Sequence, residues 1–208
     1  LVTAVQYEYL LELFKNYCAK KESELIVLDD NLITNITYGS QTNFKYKEEQ
    51  YSITMLGTHQ VRNACLSLEI IHKLQAMNKL KIEQKDIVQG LFNTYWPGRM
   101  ERFGNVILDG AHNVGGVTVL KDSMNVLFKD HYIKVLFTSM ADKEYFDNIQ
   151  IIETFADEIH FTDFDYARCE TAENLYDVSE HPKKFIEKDA IKALNELKQL
   201  QKNEILLV

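Results

Sequence analysis

The sequence predicts an α/β protein in two parts, on three observations. After residue 97, apolar strand-like runs alternate regularly with amphipathic helices, the pattern of βαβ units and a mostly parallel sheet covered on both faces. At Trp96-Pro97-Gly98-Arg99 the periodicity breaks, at one of only two prolines in the chain, and Pro with Gly halts regular structure. The size fits as well: at ~150 residues per domain as a soft guide, 208 residues that are 46% hydrophobic make one large domain or two small ones with real cores. The boundary is placed between 96 and 97, giving parts 1–96 and 97–208.

Each element follows from its spacing. Residues 1–5 read as a strand, and residues 7–20 as a helix with Tyr7, Leu10, Leu11, Phe14 and Cys18 on one face. The apolar run 25–28 reads as a short buried strand. Residues 29–50 are mostly polar, with alternation at Phe44 and Tyr46, and are expected to form exposed antiparallel strands or a long loop. A strand over 51–56 ends at Gly57. From Thr58 a helix carries Val61, Ala64, Cys65, Leu68, Ile71 and Leu74 on one face, and a second helix spans 83–93. Beyond the boundary the order is strand 105–109, helix 114–128, strand 133–139, helix 143–155, strand 158–162, helices near 171–178 and 189–200, and a last strand at 205–208.

Charge and cysteine usage narrow the function. Acidic residues outnumber basic ones 31 to 23, for a net charge of -8, and no long basic run occurs, which argues against binding to a nucleic-acid backbone. The expected ligands are small molecules, and no nucleic acid or membrane is expected as a partner. Cys18, Cys65 and Cys169 form no CxxC pair and lie near no His at metal-ligand spacing, so neither a disulfide frame nor a zinc site is readable. No apolar stretch approaches the ~18 residues of a membrane span, and the amino end has no basic region before an apolar run. These features point to a reducing cytoplasm. The chain opens on a strand without an initiator Met and closes on another, which leads us to expect a piece of a larger protein.

Three local motifs bear chemistry. In Val106-Ile107-Leu108-Asp109-Gly110-Ala111-His112-Asn113 an apolar strand ends in an acid, and small residues then turn into a helix. Ligands of open parallel sheets sit at the carboxyl ends of strands, where an Asp can accept both hydroxyls of a ribose. The competing structural role is helix capping by Asp109 and Asn113. In Trp96-Pro97-Gly98-Arg99-Met100-Glu101, an Arg held beside Pro and Gly can meet phosphate oxygens with its planar fork, although a solvated linker charge is the commoner fate of such a residue. In Gly57-Thr58-His59-Gln60-Val61-Arg62-Asn63, polar side chains at a helix start can hold a base edge, or simply cap the helix.

Taken together and in this order, these motifs resemble the Mur ligase superfamily, and within it the folylpolyglutamate synthases and their dihydrofolate synthase relatives. The string Asp109-Gly110-Ala111-His112-Asn113 after Pro97-Gly98-Arg99 separates that group from the peptidoglycan ligases. Met140-Ala141-Asp142-Lys143-Glu144-Tyr145 is similar to a further element of the same group. The resemblance implies the end of the central ATPase domain followed by a Rossmann-like, mostly parallel-sheet carboxyl-terminal domain that ligates glutamate. It assigns Asn63 to the adenine of ATP, Arg99 to the phosphates, Asp109 to the ribose and His112 to the side of the incoming glutamate, with Arg99 and His112 as the catalytic pair. It implies ATP and Mg2+, folate and L-glutamate as substrates, and a monomer.

The departures are Val114 after Asn113 and Ala167 before Arg168, where the family usually has Pro, and the lack of a Gly-Ser-Leu-Tyr-like continuation after Val208. No GxxxxGK[ST] phosphate loop occurs in these residues. The resemblance places that loop, the Mg2+ ligands and a modified lysine before Leu1, so the 208 residues alone are expected to be inactive. The competing readings are another Mur-type amino-acid ligase, or a non-catalytic Rossmann-like nucleotide-binding module.

Overall fold

In the computed structural model, which describes Leu1–Val208, the chain divides into two units. One comprises Leu1–Met55 and His59–Tyr95, the other Leu56–Thr58 and Trp96–Val208.

In the first unit, β1 (Val2–Thr3) and β2 (Ile26–Val27) pair in parallel and are joined by α1 (Glu8–Lys20). Both strands are shorter than the apolar runs suggest, and Leu28, just past β2, is the buried residue of its run while Val27 is exposed. On α1 only Cys18 is fully buried, and Tyr7, counted in the helix face, stands in solvent ahead of the helix.

A short 3-10 turn at Asp30–Leu32 leads into β3 (Ile33–Thr37), β4 (Thr42–Tyr46) and β5 (Glu49–Ile53), an antiparallel sheet in that order. Of the alternatives expected over 29–50, antiparallel strands form, and β3 is mostly exposed, but β4 is not. Thr42, Phe44 and Tyr46 of β4 and Tyr51 and Ile53 of β5 are buried against α2 (His59–Ala76) and α3 (Gln84–Phe92). The β4–β5 turn is two residues long, and Lys47 and Glu48 both hold positive φ, as a type I′ hairpin requires. Such turns are normally signalled by Asn or Gly, and neither is present here. On α2, Val61, Ala64, Cys65 and Leu68 pack inward as the spacing predicts, while Leu74 is exposed.

A polar cluster lies within this core. The hydroxyl of Tyr46, 1% exposed, donates to Glu69 Oε1 at 2.5 Å, and Lys47 pairs with the same oxygen. Burial, reinforced by the Glu69 hydrogen bond, pushes the Tyr46 phenol far up. Burial would also raise Glu69, but hydrogen bonds from Lys47 and Tyr46 outweigh it and hold the carboxyl below its usual range. Burial, with Asp30 and Glu69 nearby, pushes the Cys65 thiol up to about 12. Cys65 is therefore a packed thiol, not a nucleophile.

The second unit carries a six-stranded sheet. Its elements are β6 (Glu101–Phe103), β7 (Val106–Leu108), α4 (Val114–Leu127), β8 (Tyr132–Phe137), α5 (Tyr145–Glu153), β9 (Glu158–Phe161), α6 (Ala172–Val178), β10 (Lys184–Ile186), α7 (Ala190–Leu197) and β11 (Glu204–Leu207). The strand order is β10-β9-β8-β11-β7-β6, parallel throughout except for β6 against β7. The alternation over 105–208 thus forms the α/β sheet it predicts, with element ends within three residues of those expected. Two strands went unforeseen. β6 folds back on β7 through Gly104, at φ +64°, and β10 is three residues set among lysines and next to Pro182.

Both faces of this sheet are covered, which is why its inner strands read as nearly continuous apolar runs. On one face Ile107, Val135, Phe137, Ile159, Phe161 and Ile205 meet Val117, Leu120 and Met124 of α4, Ile149 and Ile152 of α5 and Leu175 of α6. On the other, Leu136 and Leu206 meet Ala193, Leu194 and Leu197 of α7. The chain thus runs outward from β8 to β9 to β10, then returns to insert β11 between β8 and β7.

Candidate functional site

Asp109 is the first residue past β7, and its N–H still donates to Val208 O at 2.9 Å, so the backbone there is tied to the sheet. Its carboxylate bridges two loops. Oδ2 accepts from Met100 N–H and Oδ1 from Ala111 N–H, both at 2.8 Å. Met100 holds a left-handed φ of +47°, costly for a residue with a side chain, and its side chain, 1% exposed, anchors in the core. Gly98, at φ +66°, donates its N–H to Glu101 Oε2 at 2.9 Å and accepts Gly110 N–H at 2.8 Å. A Cβ on Gly110 would stand 3.4 Å from that Gly98 oxygen, an ordinary contact. Residues 98–101 and 109–111 form one hydrogen-bonded body.

Three side chains project from this body. Arg99 is exposed and has no ion-pair or hydrogen-bond partner, and Trp96 is 65% exposed. His112 is exposed, with Nδ1 2.8 Å from Gly110 O. A carbonyl oxygen only accepts, so Nδ1 is the donor, and in the neutral imidazole Nε2 is the nitrogen with the lone pair. Asn113 caps α4, its Oδ1 accepting Gly116 N–H at 2.8 Å. Capping therefore accounts for Asn113 and not for Asp109, which ties two loops together.

Each Asp109 oxygen accepts one backbone N–H and retains capacity for another donor, such as a hydroxyl. The site lies at the carboxyl end of β7, beside the place where the strand order reverses around β11, the usual position of ligands on open parallel sheets. The loops following β8 and β9 at the same end are joined by an isolated bridge between Met140 and Cys169, with Ala141 N–H donating to Arg168 O and Glu170 N–H to Ser139 O, both at 2.8 Å.

Of the four candidate residues, one loop cluster brings together Arg99, Asp109 and His112. Asn63 belongs to the other unit, on the exposed side of α2, where its Nδ2 donates to Gln60 Oε1 at 3.0 Å. It lines a cavity of about 100 Å³ with Ile53, Met55, Gln60 and Leu91. Arg62, in the same motif, is engaged with Ala4 O and Asp30. The anchoring roles of Met100, Glu101 and Gly110 have only a faint sequence signal, the three-residue spacing of Gly98 and Glu101 across a turn.

Residues 98–208 match the family described as "Mur ligase, glutamate ligase domain". The chain is 32% identical, over its whole length, to the dihydrofolate synthase/folylpolyglutamate synthase of Bacillus subtilis, of which it covers 51%. It thus spans about half the length of that relative. Its fold resembles folylpolyglutamate synthase of Mycobacterium tuberculosis complexed with ADP and AMPPCP, with a TM-score of 0.82 at 18% identity over 99% of this chain and 51% of that one. It also resembles the bifunctional folylpolyglutamate synthase/dihydrofolate synthase of Yersinia pestis complexed with AMPPNP and a Mn ion, with a TM-score of 0.75 at 17% identity over 95% of this chain and 47% of that one.

Proposed function

Because this chain belongs to the Mur ligase family through its glutamate ligase domain, we propose that it is the carboxyl-terminal part of a folylpolyglutamate synthase, which joins L-glutamate to the γ-carboxylate of a folate at the expense of ATP. The observation that carries this reading is the rigid body around Asp109, which leaves an unpaired guanidinium at Arg99 and spare acceptor capacity on a fixed carboxylate. The name of the Bacillus relative, which pairs two synthase activities, favours a bifunctional enzyme that also acts on dihydropteroate.

In the proposed reaction a folate carboxylate oxygen attacks the γ-phosphorus of ATP and ADP leaves, producing an acyl phosphate. The amine of glutamate then attacks the acyl carbon, loses a proton and expels phosphate, forming the amide. Asn63 holds the adenine, Asp109 accepts the ribose hydroxyls, and Arg99 neutralises the charge that builds on the phosphates. The lone pair on His112 Nε2 faces the incoming glutamate and receives the amine's hydrogen bond. The protein's work is positioning and charge neutralisation. A divalent cation, Mg2+ in this proposal, offsets phosphate charge when bound. The family resemblance assigns its ligands to residues outside these, and no step is drawn through it. The enzyme is proposed to be a cytoplasmic monomer whose partners are its small substrates, with neither nucleic acid nor membrane. The structure contains no helix long and apolar enough to cross a membrane.

The test is a ligation assay on the full-length protein with tetrahydrofolate, ATP and labelled glutamate. One ADP and one phosphate should appear per glutamate joined. Nucleotide binding without glutamate transfer would replace this reading with a binding module, and transfer of a different amino acid with another Mur-type ligase.

A further inference from the structure

Trp96 is the only tryptophan in the chain and is 65% exposed. Exposure alone does not set it apart, since single exposed aromatics are common and Tyr9 and Tyr7 are more exposed still. Its setting does. The backbone that follows it is locked at Gly98 by Glu101 and Gly110 and at Met100 by Asp109, and Met100 is buried in the core. This immobility cannot serve to pack Trp96 or Arg99, because both side chains stand in solvent. What the locking achieves is to present them.

We infer that Trp96 is a stacking platform for the adenine face of the nucleotide. An adenine nucleotide has three recognisable parts: polyanionic phosphates, a ribose with two hydroxyls, and a planar aromatic base. Residues 96–109 carry one group suited to each: the Arg99 guanidinium, the spare acceptor capacity of Asp109 and the indole ring of Trp96. A base face needs no hydrogen bond, only a flat aromatic surface held still, and an exposed indole on a locked loop supplies one. Because the backbone that follows Trp96 is held before binding, mainly the rotamers of the indole itself are left to order when the base arrives. The inference rests on the nucleotide-binding reading of this loop and adds a contact with the base's face, which neither Asp109 nor Arg99 supplies.

The experiment uses the full-length protein, its Trp96→Phe and Trp96→Ala variants, and ADP as the probe. Subtracting the emission of Trp96→Phe from that of the parent isolates the fluorescence of Trp96. Saturable quenching of that component by ADP is expected. Trp96→Ala should raise the KM for ATP roughly 5- to 140-fold, the range for losing one base–aromatic stack. Trp96→Phe, which keeps an aromatic face, should recover most of that loss, and the KM for glutamate should stay at the parental value in both. Binding of ADP, measured by equilibrium dialysis, with no change in Trp96 emission and a parental KM for ATP in Trp96→Ala would overturn the inference while leaving the nucleotide reading intact. Quenching by folate alone, with none by ADP, would also overturn it. Failure of ADP to bind at all would remove both.

Discussion

Two carboxylates in this molecule do the same local job with opposite outcomes. Glu69, in the first unit, collects Tyr46 and Lys47 inside a core of Phe44, Tyr51 and Leu68. Asp109, in the second, collects Met100 N–H and Ala111 N–H at the carboxyl end of β7. Each is the hub of a two-donor cluster, but Glu69 faces only its own fold. Asp109 is half-buried, and its neighbours Arg99 and His112 are exposed. A carboxylate that is itself buried, as Glu69 is, has spent its capacity on its own fold. One left open on a single side, with rigid backbone behind it, is prepared to bind something.

The sharpest way to break this comparison is Arg99→Ala in the full-length enzyme. If Arg99 stabilises charge at the transition state, turnover at saturating substrates should fall ~10²–10³-fold with an unchanged melting temperature. Lys should restore only part, because a point charge lacks the two-pronged fork. Near-parental turnover in both variants would make Arg99 a solvated loop residue.

On the enclosed side, Glu69→Ala should lower stability by ~2–4 kcal/mol, from the orphaned Tyr46 hydroxyl and the space left behind, with the KM for ATP unchanged. This contribution is also pH-dependent. Because the folded-state pKa of Glu69 is lowered, its stabilisation is fully present above the ordinary carboxylate range and is lost as pH falls through the folded value. Urea midpoints should therefore separate parent from Glu69→Gln at pH 7 and converge in acid. A gap that stays constant with pH would show that the Glu69 charge adds nothing.

Asp109→Ala tests the hub that is both structure and site. Losing charge-assisted hydrogen bonds worth ~1.5–3 kcal/mol predicts a KM for ATP higher by roughly one to two orders of magnitude, with a smaller loss of turnover. A parental KM accompanied by lower stability would make Asp109 a loop brace only.

The smallest expected effect is at Gly98. Nothing lies within 4 Å of a Cβ built there, so Gly98→Ala should cost ~1 kcal/mol purely from its φ of +66°. A loss of several kcal/mol in thermal unfolding would reveal a tighter fit around this loop than the structure contains.

How much of this was legible in the sequence depended on the range of the interaction. The inward face of α2, the span of α4 and the strands β7, β8, β9 and β11 follow from spacing within a dozen residues, and they emerged nearly as expected. The β4–β5 hairpin was hidden because Lys47 and Glu48 take positive φ without being Asn or Gly, so an alternating, half-buried pair of strands looked like polar loop. β10 was too short and too charged to register. At the site, the strand-end Asp109 and the Gly and Pro beside Arg99 were visible as chemistry. The tie from Asp109 back to Met100, nine residues earlier, was not, because a buried methionine held at positive φ has no sequence signature. The Tyr46–Glu69 bond spans 23 positions and exists only once α2 lies on the sheet.

The position of β11 carries a consequence for how this protein is made. Of the six strands in this sheet, the one made last lies in the middle, between β8 and β7. Until residues 204–207 have left the ribosome, the β6–β7 hairpin and the β8–β9–β10 layer have no strand to join them. Both wait with an apolar edge open, the state in which nascent chains are prone to stick to one another. Closure then depends on contacts about a hundred residues apart along the chain, Leu206 with Val106 among them, which makes folding of this unit slow. A nascent chain stalled a few residues short of β11 would release two unjoined halves to the cell's chaperones.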